Sequence, residues 1–268
     1  MTGQPRTSGP PRTARPPGNL GYGGTTGGSG PPGGGAGGGP GGAFWDELDD
    51  AQRAALREAG RPRKYQPRMP LCYQGDDSDH LIVIESGWAK VTTSGEDGRE
   101  VVLAVRGPGD LVCESAVLGG RERSATVAAL GQVRALVVPA VRFTAFLDAH
   151  PGVWMLVSGT FVRRLDDAGR RLQAHVSAQG ARRLAILLAD LAERSVRHAR
   201  PDASGGVVLG PPLSQEELGS WMDASRETVA RALSTLRAEG LVRTGWRKII
   251  VMDAPRLRAY ARGHHRRD

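Results

Sequence analysis

A chain of 268 residues, at roughly 100–200 residues per domain, holds two domains and a sizeable hydrophobic core, which excludes a single small module. The net charge of +8 is uneven: residues 1–43 carry +3, residues 44–154 carry −3 and residues 155–268 carry +8, although 33 of the 36 basic residues are Arg, a skew that a GC-rich genome also produces. The C-terminal part therefore carries the positive field, for which nucleic acid is the first partner to consider, ahead of membrane: no stretch approaches the ~20 apolar residues of a transmembrane helix.

Residues 1–43 contain 17 Gly and 8 Pro and read as a disordered tail, because such a composition cannot bury enough apolar surface to offset its ordering entropy. Its functional reading is a weak electrostatic arm (Arg6, Arg12, Arg15); passive linker is the plainer alternative. From Phe44 a short helix is expected, carrying Leu48, Ala51 and Ala55 and ended by Gly60 and Pro62. The period then changes to short runs rich in β-branched residues, Leu81–Ile84, Val101–Val105, Ala125–Ala128 and Val133–Val138, separated by Gly-containing turns. Residues 44–152 are thus predicted to form an all-β unit, a small jelly roll or β-roll.

Pro139 opens a helix with Val141, Phe143, Phe146 and Leu147, stopped near Pro151-Gly152. Over 153–180 a long helix follows, in which Trp154, Ser158, Phe161, Leu165, Ala168, Leu172, His175 and Gln179 step by alternating four and three as a heptad seam. Arg163-Arg164 and Arg170-Arg171 lie off the seam and are expected in solvent. The seam predicts a self-pairing helix and a homodimer; burial against the protein's own β-domain is the alternative. A further helix spans about 181–198, and a Gly/Pro-rich connection leads to the last module, whose unit (181–260) precedes a basic tail at 261–268.

Ser214-Gln215-Glu216-Glu217 is a capping box, and Ser225 caps a second helix that buries Val229, Leu233 and Leu236 and ends at Gly240. Two short helices joined by about three residues make a helix-turn-helix. The second exposes Arg226, Glu227 and Arg231 near its N-terminus, the part that enters the major groove, where Arg pairs with guanine O6 and N7 and Glu accepts from the cytosine amino group. Ser225 and Thr228 flank them. Beyond Gly240 a hairpin reads as a wing whose Arg243, Arg247 and Lys248 suit phosphates.

The string Ser225-Arg226-Glu227-Thr228-Val229-Ala230-Arg231 closely resembles the recognition helix of the Crp/Fnr family of bacterial transcription regulators. The order β-roll, long helix, winged helix-turn-helix matches over about residues 44–260. The resemblance implies an α+β fold with a cyclic-nucleotide-binding-like β-roll, and a cytoplasmic homodimer that reads a TGTGA-like palindrome with half-sites ~34–36 Å apart and works with RNA polymerase. It also implies an effector site at Cys113, Glu114, Ser115, Arg123 and Ser124, with Glu114 on the ribose 2′-OH and Arg123 with Ser124 on the cyclic phosphate of cyclic AMP or another cyclic nucleotide. Cys113 stands where the family has Gly, and Ala168 and Gly169 stand where cyclic-AMP-responsive members place Thr and Ser. A ligand-independent DNA-binding or architectural protein with a degenerate pocket is therefore the second reading.

Other chemistries have less to stand on. Two cysteines, Cys72 and Cys113, exclude a disulfide framework and any four-thiolate metal or iron–sulfur site, and Cys113 reads as a small buried hydrophobe, with a redox-sensing or haem-ligand role, as in other branches of the family it resembles, the lesser alternative. His80, His150, His175 and His198 lack metal-ligand spacing, and His264-His265 lies in the basic terminus. No nucleophile elbow, phosphate-binding loop or kinase signature points to an enzyme, and no apolar stretch near the N-terminus reads as a secretory signal.

Overall fold

The computed structural model describes residues 43–95, 98, 100–198 and 201–263. The Gly/Pro-rich tail up to residue 42, with its three Arg, and the terminus from residue 264, with its two His, lie outside the described residues. A 3-10 turn at Phe44–Glu47 is followed by α1 (Asp50–Ala59). The one helix expected from Phe44 is broken, because Asp49 and Gln52 form a capping box that starts a new helix.

Two four-stranded antiparallel sheets make the β-roll, from β1 (Arg61–Tyr65), β2 (Pro70–Cys72), β3 (His80–Ser86), β4 (Ala89–Ser94), β5 (Glu100–Arg106), β6 (Leu111–Val112), β7 (Thr126–Ala129) and β8 (Val133–Pro139). Their orders are β1-β8-β3-β6 and β2-β7-β4-β5. A short helix, α2 (Glu114–Gly119), lies between β6 and β7. β3 is buried on both faces, which is why Leu81–Ile84 is continuously apolar. Ile82 and Ile84 meet Val127 and Ala129 between the sheets, while Leu81 and Val83 pack with Phe143, Phe146 and Leu147 of α3 (Ala140–Ala149). At the turn after β3, Gly87 has φ +88°, and a Cβ there would lie 2.2 Å from the Gln132 carbonyl.

The long helix is α4 (Val153–Ser177), 25 residues. Val153, Val157, Thr160 and Ala174 form its buried face, whereas Trp154, Leu165 and Leu172 of the heptad seam are exposed, Leu165 by 74% and Leu172 by 67%. The seam is thus not covered by the chain's own β-roll; Phe161 alone of its members is half-buried. An extended Ala178-Gln179 link leads to α5 (Gly180–Val196). Leu184, Leu188 and Leu191 of α5 are buried, roughly 1.5–3 kcal/mol each, in a core shared with α7 (Arg226–Ala238) and α8 (Ala254–Ala261). The remaining elements are β9 (Val207–Val208), α6 (Gln215–Met222), β10 (Val242–Gly245) and β11 (Lys248–Val251), with the sheet order β10-β11-β9. α8 ends at Ala261, which is buried.

Candidate functional site

The five residues expected at the effector site line one cavity of about 290 Å³, close to the small end of ligand pockets (~300–1,000 Å³). α2 supplies Glu114 and Ser115, Cys113 caps it, and the segment before β7 supplies Arg123 and Ser124. Cys113 has φ +72°, a left-handed conformation that Gly adopts freely and that costs a non-Gly residue about 1–3 kcal/mol.

Glu114, 1% exposed, pairs with Arg164 of α4, whose other nitrogen donates to the Leu111 carbonyl at 2.5 Å. Arg123, 3% exposed, donates to the carbonyls of Cys113 (3.1 Å) and His80 (2.5 Å), and lies 3.9 Å from the Asp79 carboxylate. Among the described residues, Oε2 of Glu114 and Nε of Arg123 are buried without a hydrogen-bond partner. The two residues that carry this carboxylate oxygen without a donor and this guanidinium nitrogen without an acceptor line the same cavity.

Two expectations need correction. Arg164 and Arg171, expected in solvent, turn inward to line the cavity, and Arg171 donates to the Leu103 carbonyl of β5. Arg163 pairs with Glu47, and Arg170 with Asp167. Arg106 was missed altogether; it is buried, and burial together with the charge of Arg164 holds its guanidinium down to about 9. The described lining therefore carries Arg106, Arg123, Arg164 and Arg171 against Glu114, an excess of positive charge. The signal available in the sequence was the seven-residue spacing of Arg164 and Arg171, with Ala168 between them on one helix face. Ala168 does line the cavity, and Gly169 does not. A second, larger cavity of about 350 Å³ shares Arg106 and Arg164, but its Arg170 and Arg194 are already paired with Asp167.

In the DNA half, Ser214 and Glu217 form the expected capping box, and Ser225 accepts from the Thr228 N–H at 3.2 Å. α7 ends in a Schellman arrangement: the Leu241 N–H donates to the Leu236 carbonyl and the Gly240 N–H to that of Arg237, both at 2.9 Å, with Gly240 at φ +66°. Val229, Leu233 and Leu236 are buried, which leaves Arg226, Glu227 and Arg231 exposed along one side. Thr228 is half-buried, its hydroxyl meeting Ser225 and Arg231. On the hairpin, Arg243 and Lys248 are exposed; Arg247 instead folds back to the Pro212 carbonyl (2.8 Å) and Glu217 (3.6 Å), so that its guanidinium holds the wing to the helices.

Residues 62–150 match the cyclic nucleotide-binding domain family, and residues 182–260 the Crp-like helix-turn-helix domain family. The cyclic AMP receptor protein of Thermus thermophilus is 30% identical over 75% of this chain and 88% of its own length. The chain belongs to the Crp/Fnr family of transcription regulators. The CRP-like cAMP-activated global transcriptional regulator of Mycobacterium tuberculosis is 26% identical over 78% of this chain and 92% of its own. In fold, the chain is similar to FixK2 of Bradyrhizobium japonicum, with a TM-score of 0.65, 20% identity, and coverage of 75% of this chain and 96% of that one.

This crp-type regulator is a transcription regulator with a cyclic nucleotide-binding domain and a DNA-binding helix-turn-helix, and its named relatives are regulators rather than enzymes. Among the described residues no helix is long and apolar enough to cross a membrane, and no group of three or more His, Cys, Asp or Glu could hold a metal.

Proposed function

We propose that this protein is a cytoplasmic homodimer that reads a palindromic promoter site and is gated by a small anionic effector, a cyclic nucleotide such as cyclic AMP. The observation that carries the gating is the unmet pair in the cavity wall: a ribose 2′-OH donates to Glu114, and a phosphate oxygen accepts from Arg123. Ser124 adds a hydroxyl, Ser115 and Cys113 shape the turn, and Arg106 gains an anionic partner for a guanidinium that burial disfavours. The adenine side of the cavity offers Ala168 in place of a hydroxyl, so selectivity among bases is weak.

Dimerisation rests on the seam of α4, whose Trp154, Leu165 and Leu172 are exposed among the described residues. Arg226, Glu227 and Arg231 read bases; Arg243 and Lys248 hold phosphates, while Ser225 and Thr228 fix the helix end on the backbone. Arg171 joins the two halves: it meets the cavity at Leu103 and lies over the Trp221 ring of α6 at 5.9 Å. A shift of α4 on effector binding therefore moves a contact to the reading head, through the Ala178-Gln179 link. RNA polymerase is the onward partner of a regulator placed on a promoter.

The test is titration of the full-length protein with a labelled palindromic TGTGA-type duplex at fixed salt, with and without cyclic AMP or cyclic GMP. At least ~fivefold tightening by a nucleotide is expected. Tight specific binding that neither nucleotide alters favours the ligand-independent architectural reading, which Ala168 and Cys113 motivate.

A further inference from the structure

Cys72 and Cys113 lie 41 positions apart in the chain, yet their sulfurs are 3.0 Å apart. Cys72 ends β2 and is 6% exposed; Cys113 caps α2, is half-buried and lines the effector cavity. Neither base reading nor anion capture uses the two thiols, and a disulfide of ~2.05 Å requires only about 1 Å of further approach. We propose that Cys72 and Cys113 are a redox modification site, an intrachain disulfide closed by a small hydroperoxide and reopened by thiols, beside the effector cavity that Cys113 lines. Transient disulfides of this kind are the ones a reducing compartment admits.

The environment separates the roles of the two sulfurs. The hydrogen bond from Cys113 and the positive charge of Arg123 hold the Cys72 thiol below its ordinary range against the opposing effect of burial, and the same hydrogen bond pushes the Cys113 thiol up. The Cys72 thiolate attacks one oxygen of hydrogen peroxide; the O–O bond breaks, and the departing hydroxide takes a proton to leave as water. Cys72 is then a sulfenic acid, and Cys113 no longer donates to a thiolate. Its sulfur attacks that of Cys72, the S–S bond forms, the S–O bond breaks, and the Cys113 proton leaves with the hydroxyl as a second water. Two thiols are oxidised and one peroxide is reduced.

The consequence for the cavity follows from the backbone. Cys113 holds Arg123 through its carbonyl and precedes buried Glu114, so drawing its sulfur towards β2 moves the support of both. This coupling rests on the effector reading; the disulfide itself does not.

The full-length protein, reduced and desalted, is treated with hydrogen peroxide and analysed by intact mass and non-reducing peptide mapping. The expected result is loss of two hydrogens, a Cys72–Cys113 cross-linked peptide, reversal by dithiothreitol, and no such peptide in Cys72→Ser or Cys113→Ser. Unchanged thiols, sulfinic acid alone, or cross-links only between chains overturn the site. For the coupling, amide exchange over residues 111–124 and cyclic AMP titration are compared in the reduced and oxidised forms. Changed exchange and at least ~fivefold changed affinity in the wild type, and neither in Cys72→Ser, are expected. Equal exchange in both forms overturns the coupling. Failure of the reduced protein to bind cyclic AMP counts against the effector reading instead, with the mass and exchange results still deciding the redox site.

Discussion

Charged side chains do different physical work in the two halves of this regulator. On α7, Arg226, Glu227 and Arg231 stand in solvent, held out by a helix whose opposite face is buried at Val229, Leu233 and Leu236. In the cavity, Glu114 and Arg123 are almost completely buried, and each already holds part of the fold together through Arg164 or through backbone carbonyls. The reading head can therefore change its charges with little cost to folding. In the β-roll half, the groups proposed for recognition are also the ones that hold the fold, so an effector that engaged Glu114 or Arg123 would also disturb what holds α2 and α4 in place.

The sharpest way to break this contrast is to remove Arg164. Arg164→Ala leaves the Glu114 carboxylate buried without its partner, and a loss of ~3 kcal/mol in unfolding free energy is expected by urea denaturation. A loss below ~0.5 kcal/mol would show that the cavity charges are as dispensable to folding as surface ones. Next in size is the seam, apolar and yet exposed. Leu165→Glu combined with Leu172→Glu is expected to weaken self-association about 100-fold, or ~2.7 kcal/mol, in sedimentation equilibrium, with the melting of the monomer unchanged. Arg226→Ala then probes the other side of the comparison: it costs ~1–3 kcal/mol of specific DNA affinity and relaxes preference at one base pair, while stability stays within ~0.5 kcal/mol. Equal loss on specific and random duplexes would remove Arg226 from base reading.

The same contrast explains what the sequence made legible. The reading helix is local: Ser225, Gly240 and the three buried apolar positions lie within 16 residues, and caps plus periodicity define which side faces outward. The strands β3, β5, β7 and β8 were readable for a similar reason, as β-branched runs between Gly turns. β1 was not, because an edge strand of composition Arg-Pro-Arg-Lys-Tyr has only Tyr65 facing the core. The cavity joins α2 with β5, α4 and the segment before β7, so Arg106, Arg164 and Arg171 become wall residues only through tertiary packing. The proximity of Cys72 and Cys113 depends on the β2–β7 pairing, which no spacing encodes. Even at the wing, composition marked three basic residues alike, and only the left-handed backbone at Arg247 with its bond to Pro212 separates a structural arginine from Arg243 and Lys248.

That separation gives the smallest expected effect. Lys248 is exposed at the start of β11 and makes no ion pair among the described residues, so the contribution to DNA binding expected of it on the proposed reading is release of about one counterion. Lys248→Ala should lower the slope of log K against log salt by ~0.9, which amounts to less than a twofold change in relative affinity for each doubling of salt, equal on specific and random duplexes. The measurement is a salt series by fluorescence anisotropy on both duplexes. An unchanged slope would take Lys248 off the phosphates; a loss confined to the specific duplex would make it a base-reading residue and extend sequence recognition from the helix to the wing.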